Sequence, residues 1–320
     1  MRVRLARAKE GDIPALTELR GVIPPMMTPF APDDSIDLEL LAREARYLLD
    51  AGVDGMVVAG STGEGAGMTE DEIASAVSAV AGVVRGRVPL FCGVIADNSE
   101  EAVRLGLAAR KGGANGLQVP PPHFQFVTEP AVLARYYRDI TEGTGLPIII
   151  YNVIPWAQLA VESLRRITAE NPAIIGVKQS GANIHGLADL IASLQGSVRI
   201  YTAIDDLIYP SLMMGADGTI SGTASVFPRQ TVEMHQAVRR GDYRRALELH
   251  NAIVPVWRAV EGPEFPARMK YAMKLLGRGA GKPRAPFRWP EGQPAAAIEA
   301  ALRASAVLDG ALWTGLHGAG

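Results

Sequence analysis

The sequence predicts an α/β protein folded as a (β/α)8 barrel with a C-terminal helical extension. Three observations carry this expectation. From Gly21 onward, eight short apolar runs alternate with longer segments of helical periodicity. The runs are too continuously apolar to be strands with one face in water; a parallel sheet covered on both faces reads this way. And one helix-to-strand connection recurs, as Ala51-Gly-Val-Asp-Gly55, Gly113-Ala-Asn-Gly116 and Gly215-Ala-Asp-Gly218. Each copy puts a glycine where a helix stops, because glycine takes the left-handed conformation that closes one, then a short polar residue and a second glycine leading into an apolar run. Regular βα alternation repeated eight times favours a closed barrel over an open sheet.

Taken in order, the predicted strands are Val22–Met27, Gly55–Ala59, Pro89–Cys92, Gly116–Val119, Pro147–Tyr151, Ile174–Lys178, Val198–Thr202 and Gly218–Ile220. Helix starts are read at Asp37, Thr69, Ser99 and Thr128, where a side-chain oxygen can accept from orphan amides and acidic residues mostly follow in the first turn. Residues 1–20 read as an added arm with a short helix opening at Asp12, residues 21–240 as the barrel, and residues 241–320 as the helical extension. After about Val226 only helices are predicted: Arg229–Arg239, Asp242–Val260, Glu264–Leu276 and, beyond a Gly- and Pro-rich loop at Gly277–Pro294, Ala295–Ala306. Trp257 and Tyr271 read as core residues, and the extension as lacking catalytic chemistry of its own.

Composition narrows the partners. The 320 residues are 48% hydrophobic, enough for one large core, and 32 basic residues nearly cancel 34 acidic ones without any run of like charge. That leaves no electrostatic footprint for nucleic acid or an anionic membrane, and points to a small-molecule partner. The N-terminus lacks a signal-peptide apolar stretch, and no run reaches the ~20 residues of a spanning helix, so a cytoplasmic protein is expected. The single cysteine, Cys92, excludes an intrachain disulfide and a cysteine-rich metal site, and reads as a buried structural thiol.

The chemistry concentrates between Leu146 and Ser180. Two β-branched runs there each end in one reactive side chain, Tyr151 and Lys178. Burying an ammonium is costly, and desolvation pushes a lysine toward its neutral form, a nucleophile toward ketones. In such a barrel the active site lies at the C-terminal ends of the strands, where Gly60-Ser-Thr-Gly-Glu64 also falls, directly after the second strand. Its glycines allow close backbone approach, and its two hydroxyls can donate to a carboxylate. Alone, each of these is more often a turn, a core tyrosine or a solvated lysine; their coincidence at one rim is what points to a site. Asp205-Asp206, following the seventh strand, reads as a helix N-cap in preference to a substrate contact, and His185, His235 and His250 show no ligand spacing, so no metal is assigned.

With these residues in place, the chain resembles the dihydrodipicolinate synthase / N-acetylneuraminate lyase family of Schiff-base-forming pyruvate lyases. The resemblance runs from about Gly21 to Leu276 and rests on Gly60-Ser-Thr-Gly-Glu64, Tyr151-Asn152, Gly176-Val-Lys-Gln-Ser180 and Gly218-Thr-Ile-Ser-Gly222, in the family's order and approximate spacing. It implies that Lys178 condenses with the keto carbon of pyruvate or another 2-oxo acid, that Tyr151 shuttles protons, and that Ser61 belongs to the proton relay. It likewise implies that Thr62, with Gly60 beside it, holds the carboxylate and that Ile220 packs beside the pyruvate methyl. An aldehyde is the second substrate, no metal or organic cofactor is implied, and a homotetramer is.

Two positions depart from the family pattern. Where the family often reads Thr-Pro-Tyr-Tyr after the fourth strand, this chain has Pro120-Pro-Pro-His-Phe124, so His123 stands for a tyrosine of the relay, as a substitute or as a bystander. The arginine that clamps the aldehyde's carboxylate in the synthases is missing from Val153-Ile-Pro-Trp-Ala-Gln158, with Trp156 at or next to its place. The first reading is therefore a pyruvate aldolase or lyase whose acceptor is a sugar-acid chain or an apolar, aromatic aldehyde recognised around Phe124, Phe126 and Trp156. The second is dihydrodipicolinate synthase with another cation, and the third a non-catalytic keto-acid-binding protein on the same scaffold.

Overall fold

The computed structural model describes residues 16–124, 128–181 and 183–305; the helix expected at Asp12 and Phe126 lie outside them. Eight strands are present: β1 (Gly21–Val22), β2 (Met56–Val58), β3 (Leu90–Gly93), β4 (Gly116–Val119), β5 (Ile148–Asn152), β6 (Ile174–Gln179), β7 (Arg199–Thr202) and β8 (Gly218–Thr219). All pair in parallel, and the order β1-β8-β7-β6-β5-β4-β3-β2 brings the first strand round beside the second. Backbone bonds from Met26 N–H to Val57 O (2.8 Å) and from Val57 N–H to Pro24 O (3.0 Å) close the ring. β1 is much shorter than the expected Val22–Met27, since Pro24 and Pro25 have no N–H to give a ladder.

Between the strands lie α1 (Leu38–Asp50), α2 (Glu70–Val84), α3 (Ser99–Gly112), α4 (Pro130–Thr144), α5 (Val161–Glu170), α6 (Ile184–Leu194) and α7 (Ile208–Met213). Asp37 caps α1, and Thr69 with Glu72 forms a complete capping box on α2. α3 is capped by Asn98, one residue before the expected Ser99, with Asn98 Oδ1 accepting from Glu101 N–H at 2.8 Å. At α4, Glu129 rather than Thr128 holds the cap position, without a side-chain bond, and Pro130 presets the first turn.

The recurring connection has a definite physical role. Gly52, Gly113 and Gly215 all have positive φ, at +82°, +101° and +103°. The polar residue that follows then accepts from the amide at or near the start of a neighbouring strand: Asp54 from Val22 (2.8 Å), Asn115 from Leu90 (2.8 Å) and Asp217 from Ile200 (2.9 Å). Three donors at the bottom rim of the sheet are thereby satisfied, where an unpaired buried N–H would cost about 1–3 kcal/mol each.

Leu19, Ile23, Val57, Phe91, Ile149, Ile175, Tyr201 and Ile220 fill the barrel interior, and residues 16–19 plug its lower end, the Tyr201 hydroxyl donating to Leu19 O at 2.9 Å. The chain then continues as α8 (Gly222–Val226), α9 (Pro228–Arg240), α10 (Tyr243–Val260), α11 (Phe265–Leu275) and α12 (Gln293–Ala304). These helices build a second apolar cluster around Met234, Ile253, Trp257, Met269 and Ile298, joined by Met27 and Ile208. Trp257 is buried in it, edge-on to Phe265 at 5.4 Å between ring centres. Among the described residues no helix is long and apolar enough to cross a membrane.

Candidate active site

Tyr151 and Lys178 are the next-to-last residues of β5 and β6, and the two are register partners across the ladder. Lys178 is only 3% exposed. Its Nζ stands 3.6 Å from the centre of the Tyr151 ring, and burial pulls its pKa down to about 7, against the opposing pull of the Asp205 carboxylate. Burial also drives the Tyr151 phenol well above its ordinary value, while a hydrogen bond with the Ser61 side chain acts the other way. A phenol held neutral and hydrogen-bonded to the Ser61 side chain can pass its proton on while receiving one from that hydroxyl, so that it relays protons without standing as an anion.

These side chains open into a cavity of about 500 Å³ at the C-terminal ends of the strands. Of the residues singled out from the sequence, Ser61, Thr62, Tyr151, Lys178 and Ile220 all line it. Ile220 is fully buried at its floor. Gly60 begins the turn that carries Ser61 and Thr62, with Gln118 beneath it. His123 and Trp156 are not among the lining residues; they hold each other on the rim, the Trp156 indole donating to His123 O at 2.8 Å, with Trp156 62% exposed and Phe124 73% exposed.

Further lining residues were not chosen from the sequence as site residues, and for Asp205 a cap was preferred to a substrate contact. Asp205 does not cap its own short helical turn. It faces the cavity, accepts from the backbone N–H of Thr223 at 2.6 Å, and burial raises its pKa. Its position just past β7 was the available signal, since that is where such barrels carry functional residues. Its neighbour Asp206 turns outward to pair with Arg258. The opposite wall comes from the extension: Glu264, Phe265 and Pro266 at the start of α11, and Phe287 in the loop before α12. Glu264 has a left-handed backbone, φ +57°. No local sequence pattern announces that these helices return over the barrel mouth. The Ser221 hydroxyl, also at the cavity, is buried without a hydrogen-bond partner.

Residues 18–305 match the Dihydrodipicolinate synthetase family. The 4-hydroxy-tetrahydrodipicolinate synthase of Methanopyrus kandleri is 32% identical over 274 residues, covering 85% of this chain and 91% of its own. That of Mycolicibacterium paratuberculosis is 32% identical over 298 residues, 93% and 98% of the two chains. Among solved structures, the dihydrodipicolinate synthase of Thermotoga maritima superposes with a TM-score of 0.85 at 28% identity, covering 91% of this chain and all of its own. A prophage protein of the dihydrodipicolinic acid synthase family from E. coli, solved in complex with pyruvate, gives 0.83 at 26% identity, over 89% and 97%. A barrel match from end to end, with a buried lysine and a tyrosine paired at its C-terminal rim, leaves one conclusion: the chain belongs to the dihydrodipicolinate synthetase family and is an enzyme of its class I aldolase type.

Proposed function

We propose that this protein is a pyruvate-dependent Schiff-base lyase, cleaving or forming the carbon–carbon bond β to the keto group of a 2-oxo acid. The observation that carries the reading is the buried Lys178, its pKa pulled to about 7, stacked on Tyr151 inside the cavity. The free amine adds to the keto carbon and water leaves, giving an iminium. The iminium accepts the electron pair released when the bond β to it breaks, and the resulting enamine is the pyruvate component. Tyr151, assisted by Ser61, relays the proton that the substrate hydroxyl gives up as it becomes the aldehyde carbonyl, and relays it back to the aldehyde oxygen in the condensation direction. Thr62 and the backbone after Gly60 hold the keto acid's carboxylate, and Ile220 packs against its methyl group.

The acceptor is a hydroxylated chain or an apolar, aromatic aldehyde. In support, Lys178 is the only cation among the described lining residues, and the lining also offers Phe265 and Phe287 together with the carboxyl groups of Asp205 and Glu264. A second reading, 4-hydroxy-tetrahydrodipicolinate synthase, is favoured by the names of the relatives at 32% identity, and requires a cation for the acceptor's carboxylate from elsewhere. A cytoplasmic homotetramer is part of the proposal, and sedimentation of the purified protein tests the assembly. The covalent step is tested by incubation with pyruvate and borohydride: the reduced adduct maps to Lys178, and a folded protein without that adduct overturns the reading.

A further inference from the structure

Glu64 ends the Gly60–Glu64 turn with a left-handed backbone, φ +59°. That conformation costs a residue with a side chain about 1–2 kcal/mol and persists only where neighbours hold it. Here they do. One carboxylate oxygen accepts from Lys270 Nζ at 2.5 Å and the other from the backbone N–H of Arg284 at 3.0 Å. Lys270 is wholly buried; its ammonium also donates to Lys282 O at 2.8 Å and stands 4.5 Å over the Phe30 ring.

A pair this deep adds little net stability, because desolvating both ions offsets their attraction; what it can supply is a fixed geometry. That geometry joins two parts of the cavity lining that are far apart in sequence. Glu64 is three residues from Ser61 in the lining, whereas Lys270 lies on α11, whose first residues Phe265 and Pro266 also line the cavity, and Arg284 lies three residues before Phe287, another lining residue. Lys178 and Tyr151 are held by the barrel's own ladder. Ser61 is not: it sits on a turn closed by bonds from Glu64 N–H to Ser61 O (3.1 Å) and from Gly65 N–H to Gly60 O (3.0 Å). Gly65 permits no adjustment there, since a Cβ would lie 1.8 Å from Ala59 O.

Resting on the Schiff-base reading above, we propose that the Glu64–Lys270 pair is a positioning device, by which the C-terminal helices set the Ser61 hydroxyl against Tyr151. Proton transfer then depends on the pair, while imine formation on Lys178 does not. The probe is pyruvate alone in D2O, followed by the loss of its methyl proton signal. In that exchange the iminium's methyl carbon gives a proton to the Ser61–Tyr151 relay, which passes one on to solvent, the C–H electron pair becomes the enamine double bond, and the iminium nitrogen becomes neutral; a solvent deuteron returned through the relay reverses the step.

In Glu64→Gln/Lys270→Met, which leaves no ion buried alone, the exchange kcat is expected to fall about tenfold or more, with the KM for pyruvate and borohydride trapping on Lys178 near native. Ser61→Ala also lowers exchange, and adding it to the double variant lowers it no further, because one relay is broken once. Exchange within about twofold of native in the folded variant, or a fall that multiplies fully with that of Ser61→Ala, overturns the proposal. If the double variant does not fold, Glu64→Gln alone is read by the same two criteria. A native protein that turns pyruvate over but forms no adduct on Lys178 overturns the Schiff-base reading first, and this proposal with it.

Discussion

Lys178 Nζ lies 3.6 Å from the centre of the Tyr151 ring, its register partner across the β5–β6 ladder. The ring face attracts an ammonium, but burial, opposed by the Asp205 carboxylate, holds the lysine pKa near 7. Imine formation needs the free amine. The rate of pyruvate trapping is therefore expected to rise about tenfold per pH unit below pH 7 and to level off above it. Cyanoborohydride trapping across that range checks this; a rate still climbing steeply at pH 9 would mean an ordinary, solvated lysine.

Tyr151→Phe removes one hydroxyl with almost no change in volume. Stability should barely move, while kcat falls by ~10²–10⁴, the usual contribution of a positioned acid or base. Steady-state kinetics beside a melting curve decides it. An unchanged kcat transfers the proton to another group.

The acceptor end of the cavity should reject a second carboxylate. With Asp205 and Glu264 facing it and no arginine among the described lining residues, aspartate semialdehyde is expected to react with pyruvate ~10²–10³ less efficiently in kcat/KM than a hydroxylated or aromatic aldehyde. Glu264→Arg should raise that substrate more than Trp156→Arg does, because Trp156 is 62% exposed on the rim. A strong native preference for aspartate semialdehyde would restore the synthase reading.

His235 sets an acid limit on stability. It is 7% exposed on α9, and burial first, then Arg239, lowers its pKa from 6.5 to about 4. Between those values the unfolded chain takes up a proton that the folded one refuses. Stability is thus intact above pH 6.5 and falls as pH drops toward 4, by about 3 kcal/mol in full. Melting temperature against pH, in the native protein and in His235→Gln, measures this; equal slopes in both would assign the acid loss elsewhere.

Local rules were enough for much of this molecule. The apolar runs, the capping residues and the thrice-repeated connection are short-range patterns, each with its own energetic cause, and they determine the eight strands and the helices between them. The position of Lys178 and Tyr151 at strand ends followed from the same patterns, because a parallel barrel presents those ends on one rim. Even the errors were local: prolines without an N–H shortened β1, and Asn98 displaced Ser99 as a cap. Only the tertiary structure decided what lies across the cavity from Lys178. Asp205 reaches it because Thr223, on α8 after the next strand, gives the carboxylate a donor that its own helix does not. Phe265 and Phe287 reach it because Lys270, Arg278 and Arg284 tie the C-terminal segment to Glu64, Glu44 and Glu72 in the barrel half of the chain. Each of those ion pairs spans more than two hundred residues, a separation at which sequence periodicity carries no information.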